Sequence, residues 1–135
     1  MNKILVIEDD KNIALALVVR LRSQGYDVKV AYDAVTGISE TTRNKPDLVL
    51  LDISMPGGGG LLVAQRIRSL TPVAATPIIF LTASKQPDLR AKALELGAAD
   101  FFEKPYEADD LLAAIRRILG AGDQTVKTRP HLRIA

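Results

Sequence analysis

Glu8, Asp9 and Asp10 follow the apolar run ILVI, Asp52 follows LVLL, Thr82 follows IIFL, and Lys104 follows DFFE. Carboxylates, a hydroxyl and an ammonium thus stand at the ends of four separate runs. If those runs are parallel strands of one sheet, the groups converge at its carboxyl edge, where open α/β sheets place their ligand sites. Clustered carboxylate oxygens suit a hard divalent cation, and an ammonium with a hydroxyl suits phosphoryl oxygens. The chemistry on offer is divalent metal plus phosphoryl group.

The elements that must position these groups alternate along the chain. Strands are predicted at Lys3–Ile7, Val28–Ala31, Leu48–Leu51, Ile78–Leu81 and Asp100–Glu103. Leu48–Leu51 is almost wholly apolar, as a strand buried on both faces should be. Between the strands lie helical patterns. Asn12–Gln24 carries Ile13, Leu17 and Leu21 at spacing four and stops at Gly25. Asp33 can cap a helix that runs to about Arg43 and ends before Lys45-Pro46. Leu61–Leu70 places Leu62 and Ile67 near one face, Leu89–Leu96 closes at Gly97, and Asp109–Leu119 lines up Leu112, Ile115 and Leu119. Such βα alternation predicts a parallel sheet with helices on both faces and right-handed crossovers.

Composition narrows the function classes. The 135 residues, 47% hydrophobic and 25% charged, are those of one globular domain. Without cysteine there is no disulfide framework, thiol nucleophile or cysteine-ligated zinc. No apolar stretch approaches the roughly 18 residues of a membrane span, and charge arrives too early in MNKILVIEDD for a signal peptide. A soluble, cytoplasmic chain that does not engage membranes is expected. The fifteen Lys and Arg of residues 1–119 balance fifteen Asp and Glu, so the formal charge of +2 lies beyond them, in Lys127, Arg129 and Arg133 against Asp123. A neutral folded part with a short basic tail argues against a nucleic-acid surface on this chain. His131, the one histidine, lies in that tail and is a poor candidate for catalysis.

VIEDD, LLDISMPG, FLTAS and EKPY, in that order and spacing, resemble the receiver domain of two-component response regulators, including the bacterial chemotaxis response regulator. The resemblance covers about residues 2–120. It implies a flavodoxin-like (βα)5 fold, a doubly wound parallel sheet of five strands in the order 2-1-3-4-5, over residues 1–120. Residues 121–135 would be a tail or the start of a linker to an effector domain, and TRPHLRIA looks a little like the opening of a DNA-binding winged helix.

The resemblance further implies that Asp52 accepts a phosphoryl group from the phosphohistidine of a histidine kinase or phosphotransfer protein. Magnesium, or manganese in its place, would be held by Asp9, Glu8, Asp52 and the backbone carbonyl of Ser54. Asp10 is read as a helix starter instead. Lys104, its peptide bond to Pro105 cis, would pair with a phosphoryl oxygen. Thr82 and the amide of Ala83 would meet the phosphorylated Asp52, with movement of Thr82 coupled to Phe101. One of Phe101 and Phe102 should be core, since they alternate faces. Ser54 and Ser84, two residues beyond Asp52 and Thr82, would tune the lifetime of the phosphoryl group. The domain would take part in its own phosphorylation and dephosphorylation and is not expected to turn over a separate substrate.

Where the pattern often has an acidic residue and glycine, this chain has Gly57-Gly58-Gly59-Gly60, which predicts a mobile loop without a cap. Arg90, Lys92, Glu95, Asp100, Arg116 and Arg117 mark a face of the fourth helix, last strand and fifth helix that could join two copies as a homodimer. Two other classes would use similar residues. A magnesium phosphohydrolase needs a second Asp two residues after its nucleophile, where Ser54 stands. A receiver-like interaction module that works without phosphorylation would be expected to lose Asp52, Asp9 or Lys104, and all three are present.

Overall fold

The computed structural model describes residues 1–120; the tail, with His131 and the winged-helix resemblance, lies outside the described residues. Five strands, β1 (Lys3–Ile7), β2 (Asp27–Ala31), β3 (Leu48–Asp52), β4 (Ile78–Thr82) and β5 (Asp100–Glu103), alternate with five helices. These are α1 (Lys11–Ser23), α2 (Ala34–Asn44), α3 (Gly59–Ser69), α4 (Pro87–Glu95) and α5 (Ala108–Leu119). The sheet has the order β2-β1-β3-β4-β5, every pairing parallel. This is the flavodoxin-like fold that the sequence predicts. Among the described residues no helix is long and apolar enough to cross a membrane.

The continuous apolar runs are explained by two cores. Ile4, Val6, Leu48, Leu50, Ile79 and Leu81 face α1 and α5 on one side of the sheet. Leu5, Ile7, Val49, Leu51, Ile78 and Phe80 face the other side, with Val63, Ala64 and Ile67 of α3 and Ala93 of α4. Alternate residues of a strand point to opposite faces, so a strand covered on both sides is apolar at every position.

Several helical stripes differ from the expected ones. In α1 the buried residues are Ala14, Leu17, Val18 and Leu21, while Ile13 is exposed. Spacing of four drifts about 40° per step, so Ile13 rotates away from a stripe centred on the other residues. In α3 the stripe is Gly60, Val63, Ala64 and Ile67, and Leu62 is 49% exposed, because five residues at 100° put it about 140° from Ile67.

The four glycines are structured. Pro56–Gly58 form a 3-10 turn with Gly57 at φ 71°, and α3 begins at Gly59. Gly60 is needed for close approach: a Cβ there would lie 2.3 Å from the Cα of Ile53 and 2.5 Å from the carbonyl oxygen of Asp52. The start of α3 therefore rests directly on the backbone that follows β3.

A second tie is the guanidinium of Arg68. Its Nε donates to the Leu96 carbonyl at 2.7 Å, Nη1 to the carbonyls of Ala74 and Thr76 at 3.0 and 2.6 Å, and Nη2 to that of Gly97 at 3.3 Å. One planar fork thus joins the end of α3 to the approaches of β4 and β5. Arg68→Ala should lose about 2–3 kcal/mol in chemical denaturation, since half-buried carbonyls lose a charged donor. Arg68→Lys, a point charge with fewer donors, should recover only part of it; full recovery would show that charge alone matters.

Candidate functional site

Each predicted group stands at the carboxyl end of its strand. Glu8 follows β1 directly and its amide extends the ladder to the Ala31 carbonyl at 3.0 Å. Asp52 and Thr82 are the last residues of β3 and β4. Lys104 follows β5, its amide bonded to the Thr82 carbonyl at 2.7 Å and its peptide bond to Pro105 cis. The strand order sets β1 beside β3 and β3 beside β4. Residues 96 apart in the chain thereby share one pocket.

Lys104 Nζ is the centre of that pocket. It lies 2.9 Å from Glu8 Oε1 and 3.1 Å from Asp52 Oδ2. Glu8 and Asp52 are buried, whereas Asp9 is exposed at the rim. One carboxylate oxygen from each of Glu8, Asp9 and Asp52 lies within 4.8 Å of the others. One ammonium among three carboxylates leaves an excess of negative charge, and the donors are all hard oxygens. This set fits a small divalent cation such as magnesium, which takes few protein ligands. Asp10 is not in the cluster: its Oδ1 accepts the amides of Asn12 and Ile13 at 2.9 and 3.1 Å, capping α1.

The electrostatics follow from burial and these contacts. Burial is the largest influence on Glu8 and pushes its carboxyl from the ordinary 4.5 up to about 7. The Lys104 hydrogen bond and the Asp10 amide oppose that rise, while the charge of Asp52 adds to it. Burial also raises Asp52, but the Ser54 hydroxyl and amide and the Lys104 ammonium outweigh it, so that carboxyl lies below its ordinary range. For Lys104 burial opposes the charge, yet the Glu8 and Asp52 carboxylates hold it above its usual value. As the pH falls through about 7, uptake of a proton by Glu8 relieves part of the excess charge.

Glu8 gives up its proton near 4.5 when unfolded and near 7 when folded, so between those values the folded chain binds more protons. Stability should therefore fall as pH rises through that window and level off above it. In metal-free buffer the melting temperature should drop between about pH 5 and about pH 7.5, and a divalent cation should flatten the slope. Glu8→Gln should flatten it too; an unchanged slope in that variant would assign the titration to another group.

The remaining predicted residues surround Asp52. Ser54 donates twice to Asp52 Oδ1, from its amide at 2.8 Å and from its hydroxyl. The Ala83 amide in turn donates to Ser54 Oγ at 3.4 Å. The Thr82 hydroxyl accepts the Ser84 amide at 2.9 Å, and Ser84 Oγ accepts the Gln86 amide at 3.2 Å, next to the start of α4. Thr82 is fully buried, its hydroxyl engaged in the turn after β4. Phe101 lies apart from the pocket, packed on the α4 side with Arg90 5.2 Å above its ring. Phe101 and Phe102 occupy opposite faces as alternation predicts, but both are only partly buried because β5 is an edge strand.

The bond from the Ser54 side chain to Asp52 is the contact that sequence reasoning missed. An Asp followed two residues later by Ser is a signal for an Asx turn, in which the carboxylate accepts that amide.

The response regulator receiver domain family matches residues 4–116. The transcriptional regulatory protein DltR of Streptococcus agalactiae is 46% identical over 114 residues, which are 84% of this chain and 50% of that protein. The chain thus spans about half the length of the curated relatives it matches. Among solved structures, the activated receiver domain of RstA from Klebsiella pneumoniae superposes with a TM-score of 0.79 at 33% identity, covering 87% of this chain and 98% of that one. The receiver domain of a sensor histidine kinase from Pseudomonas aeruginosa, with magnesium coordinated in its active-site cleft, gives 0.80 at 28% identity, covering 88% and 98%.

Proposed function

The chain belongs to the response regulator receiver domain family, and from that premise we propose that it is switched by a phosphoryl group on Asp52. The observation that carries the reading is the pairing of Asp52 Oδ2 with Lys104 Nζ at 3.1 Å, beside Glu8 and Asp9, at the end of the central strand. Asp52 is anionic at neutral pH and is the nucleophile. Its oxygen bonds to phosphorus as the phosphorus–nitrogen bond of a kinase's phosphohistidine breaks, the electron pair leaving with the imidazole. Lys104 is positioned to pair with a phosphoryl oxygen in place of the carboxylate. Asp9, Glu8, Asp52 and the Ser54 carbonyl would hold magnesium. When bound, the ion neutralises the charge that gathers when phosphoryl oxygens meet carboxylates.

The output follows from the turn after β4. A phosphoryl group on Asp52 brings new acceptors beside the Ala83 amide and Thr82, and Thr82 leaves Ser84 to reach them. That movement is passed to Phe101 and α4. Ser54 and Ser84 set how quickly water removes the group, so the domain takes part in its own dephosphorylation. The partner is a histidine kinase or phosphotransfer protein. The α4, β5 and α5 face meets a second copy or an effector, with Asp100 and Arg117, 3.0 Å apart here, among its charges. Residues 1–120 form the receiver, and 121–135 lead toward a DNA-binding effector, in line with the name of DltR and with the half-length match. The cytoplasm, where such kinases transfer phosphate, is the proposed compartment.

The test is intact-mass spectrometry after incubation with acetyl phosphate, with and without magnesium. One added phosphoryl group that requires the metal and maps to the peptide containing Asp52 is expected. No addition to a folded chain would reject the reading.

A further inference from the structure

We propose that Arg22 closes the outer edge of β2 against antiparallel pairing with a second copy of this chain. The edge is complementary to itself, and one side-chain bond keeps it shut.

β2 ends the sheet and has β1 as its one neighbour. The Asp27 amide donates to the Asn2 carbonyl at 2.9 Å, and the Ala31 carbonyl accepts the Glu8 amide at 3.0 Å. With Lys3 beside Asp27 and Ile7 beside Ala31 in parallel register, Asp27, Lys29 and Ala31 direct their backbone groups at β1. Val28 and Val30, between them, turn N–H and C=O outward. Such a row is a template for another strand. Among the described residues one side chain meets it: Arg22, near the end of α1, donates from Nη2 to the Val28 carbonyl at 2.9 Å. Val28 is 2% exposed although it belongs to an edge strand, whereas Asp27 and Lys29 on either side are exposed.

The charges on this edge select the occupant. Two copies of β2 can meet antiparallel about a two-fold axis in three registers. Centred on Lys29, the pairing sets Lys29 against Lys29 of the second copy, which repels. Centred on Val30, it sets Lys29 against Ala31. Centred on Val28, it sets Asp27 against Lys29 of the second copy and, by symmetry, Lys29 against its Asp27. These are non-hydrogen-bonded pairs, the kind whose side chains approach most closely. Among the described residues neither Asp27 nor Lys29 has an ion-pair partner in its own chain, so both are available for this one. The same register exchanges N–H and C=O between Val28 and its symmetry mate. It therefore needs the carbonyl that Arg22 holds.

A two-fold interface contains every contact twice. Two Arg22 bonds must break before two copies join, so the association constant carries the penalty squared. About fivefold for each partly exposed bond gives about twenty-five-fold for the pair.

The test is a concentration series of amide NMR spectra of the 135-residue chain, without metal or phosphodonor, up to millimolar protein. Arg22→Met keeps an unbranched stem that suits a helix and removes the donor. Its Val28 and Val30 amides should shift with concentration, and fitting the series should give an association constant about twenty-five times that of wild type. Arg22→Ala, which removes the stem as well, carries the same expectation. Adding Lys29→Asp to Arg22→Met sets acid against acid and should abolish the shifts. Adding Asp27→Lys to that double variant restores opposite charges and should bring them back. Val28 and Val30 amides that ignore concentration in both folded Arg22 variants overturn the proposal, and so do shifts as strong in wild type as in Arg22→Met. Shifts in Arg22→Met that survive Lys29→Asp overturn it as well, because the copies then meet in another register. Concentration-dependent shifts confined to α4, β5 and α5 would report a different face and equally reject pairing at β2.

Discussion

Asp52→Asn is expected to abolish phosphoryl uptake while leaving the fold intact. The amide is nearly the same shape as the carboxylate, so its oxygen can still accept the Ser54 amide, now 2.8 Å from Asp52 Oδ1. What it lacks is a charged nucleophile, and the rate of modification by acetyl phosphate should fall about three orders of magnitude or more. The stability change carries a second message. Lys104 loses one of two carboxylate partners but keeps Glu8 at 2.9 Å, and Glu8 loses a neighbouring charge that raises its pKa. With one negative charge fewer in the pocket, unfolding in metal-free buffer should lie within about 1 kcal/mol of wild type or above it. Denaturation curves and intact mass on the same sample check both statements. An Asn variant that still gains one phosphoryl group would move the acceptor elsewhere.

Gly60→Ala is the substitution with the largest expected cost to the fold. The added carbon would stand 2.3 Å from the Cα of Ile53, 2.5 Å from the Asp52 carbonyl oxygen and 2.9 Å from the Ile53 carbonyl carbon. These are backbone atoms at the end of the central strand, so no rotamer change removes the clash, and α3 must lift off. A loss of about 3 kcal/mol or more follows from such overpacking. For a domain of this size that is a fall of about 10 °C in melting temperature. Gly57→Ala is the control, because nothing lies within 4 Å of a Cβ there and only its φ of 71° resists a side chain. It should cost about 1 kcal/mol. Equal losses in the two variants would mean that backbone conformation, not close approach, decides the region.

The residues that were legible in the sequence are those whose placement is fixed by position along a strand. Asp52, Thr82 and Lys104 each end an apolar run, and parallel pairing in the order β2-β1-β3-β4-β5 brings strand ends together whatever the helices do. Asp10 was legible as a cap because its acceptor meets amides two and three residues on. Helix faces were less so. Ile13 and Leu62 have the right residue type but the wrong angle, and each is exposed. Gly60 and Arg68 were not legible because both act on backbone atoms outside their own helix, which no helical period encodes. Ser54 belongs to the same class: its tie to the Ala83 amide bridges 29 positions.

The contact between Glu8 and Lys104 also bears on how the chain acquires its structure. Glu8 is supplied by the first strand and Lys104 by the residue after the last, 96 positions later. A chain emerging from synthesis holds all three carboxylates of the pocket long before its ammonium. Until the final βα unit docks, the acidic edge has no ammonium of its own, and any transient detachment of that unit returns it to that state. A divalent cation held by Glu8, Asp9 and Asp52 would relieve the same repulsion in that interval. The Lys104–Glu8 pair can therefore be made only once the first and the last strand have both joined the sheet.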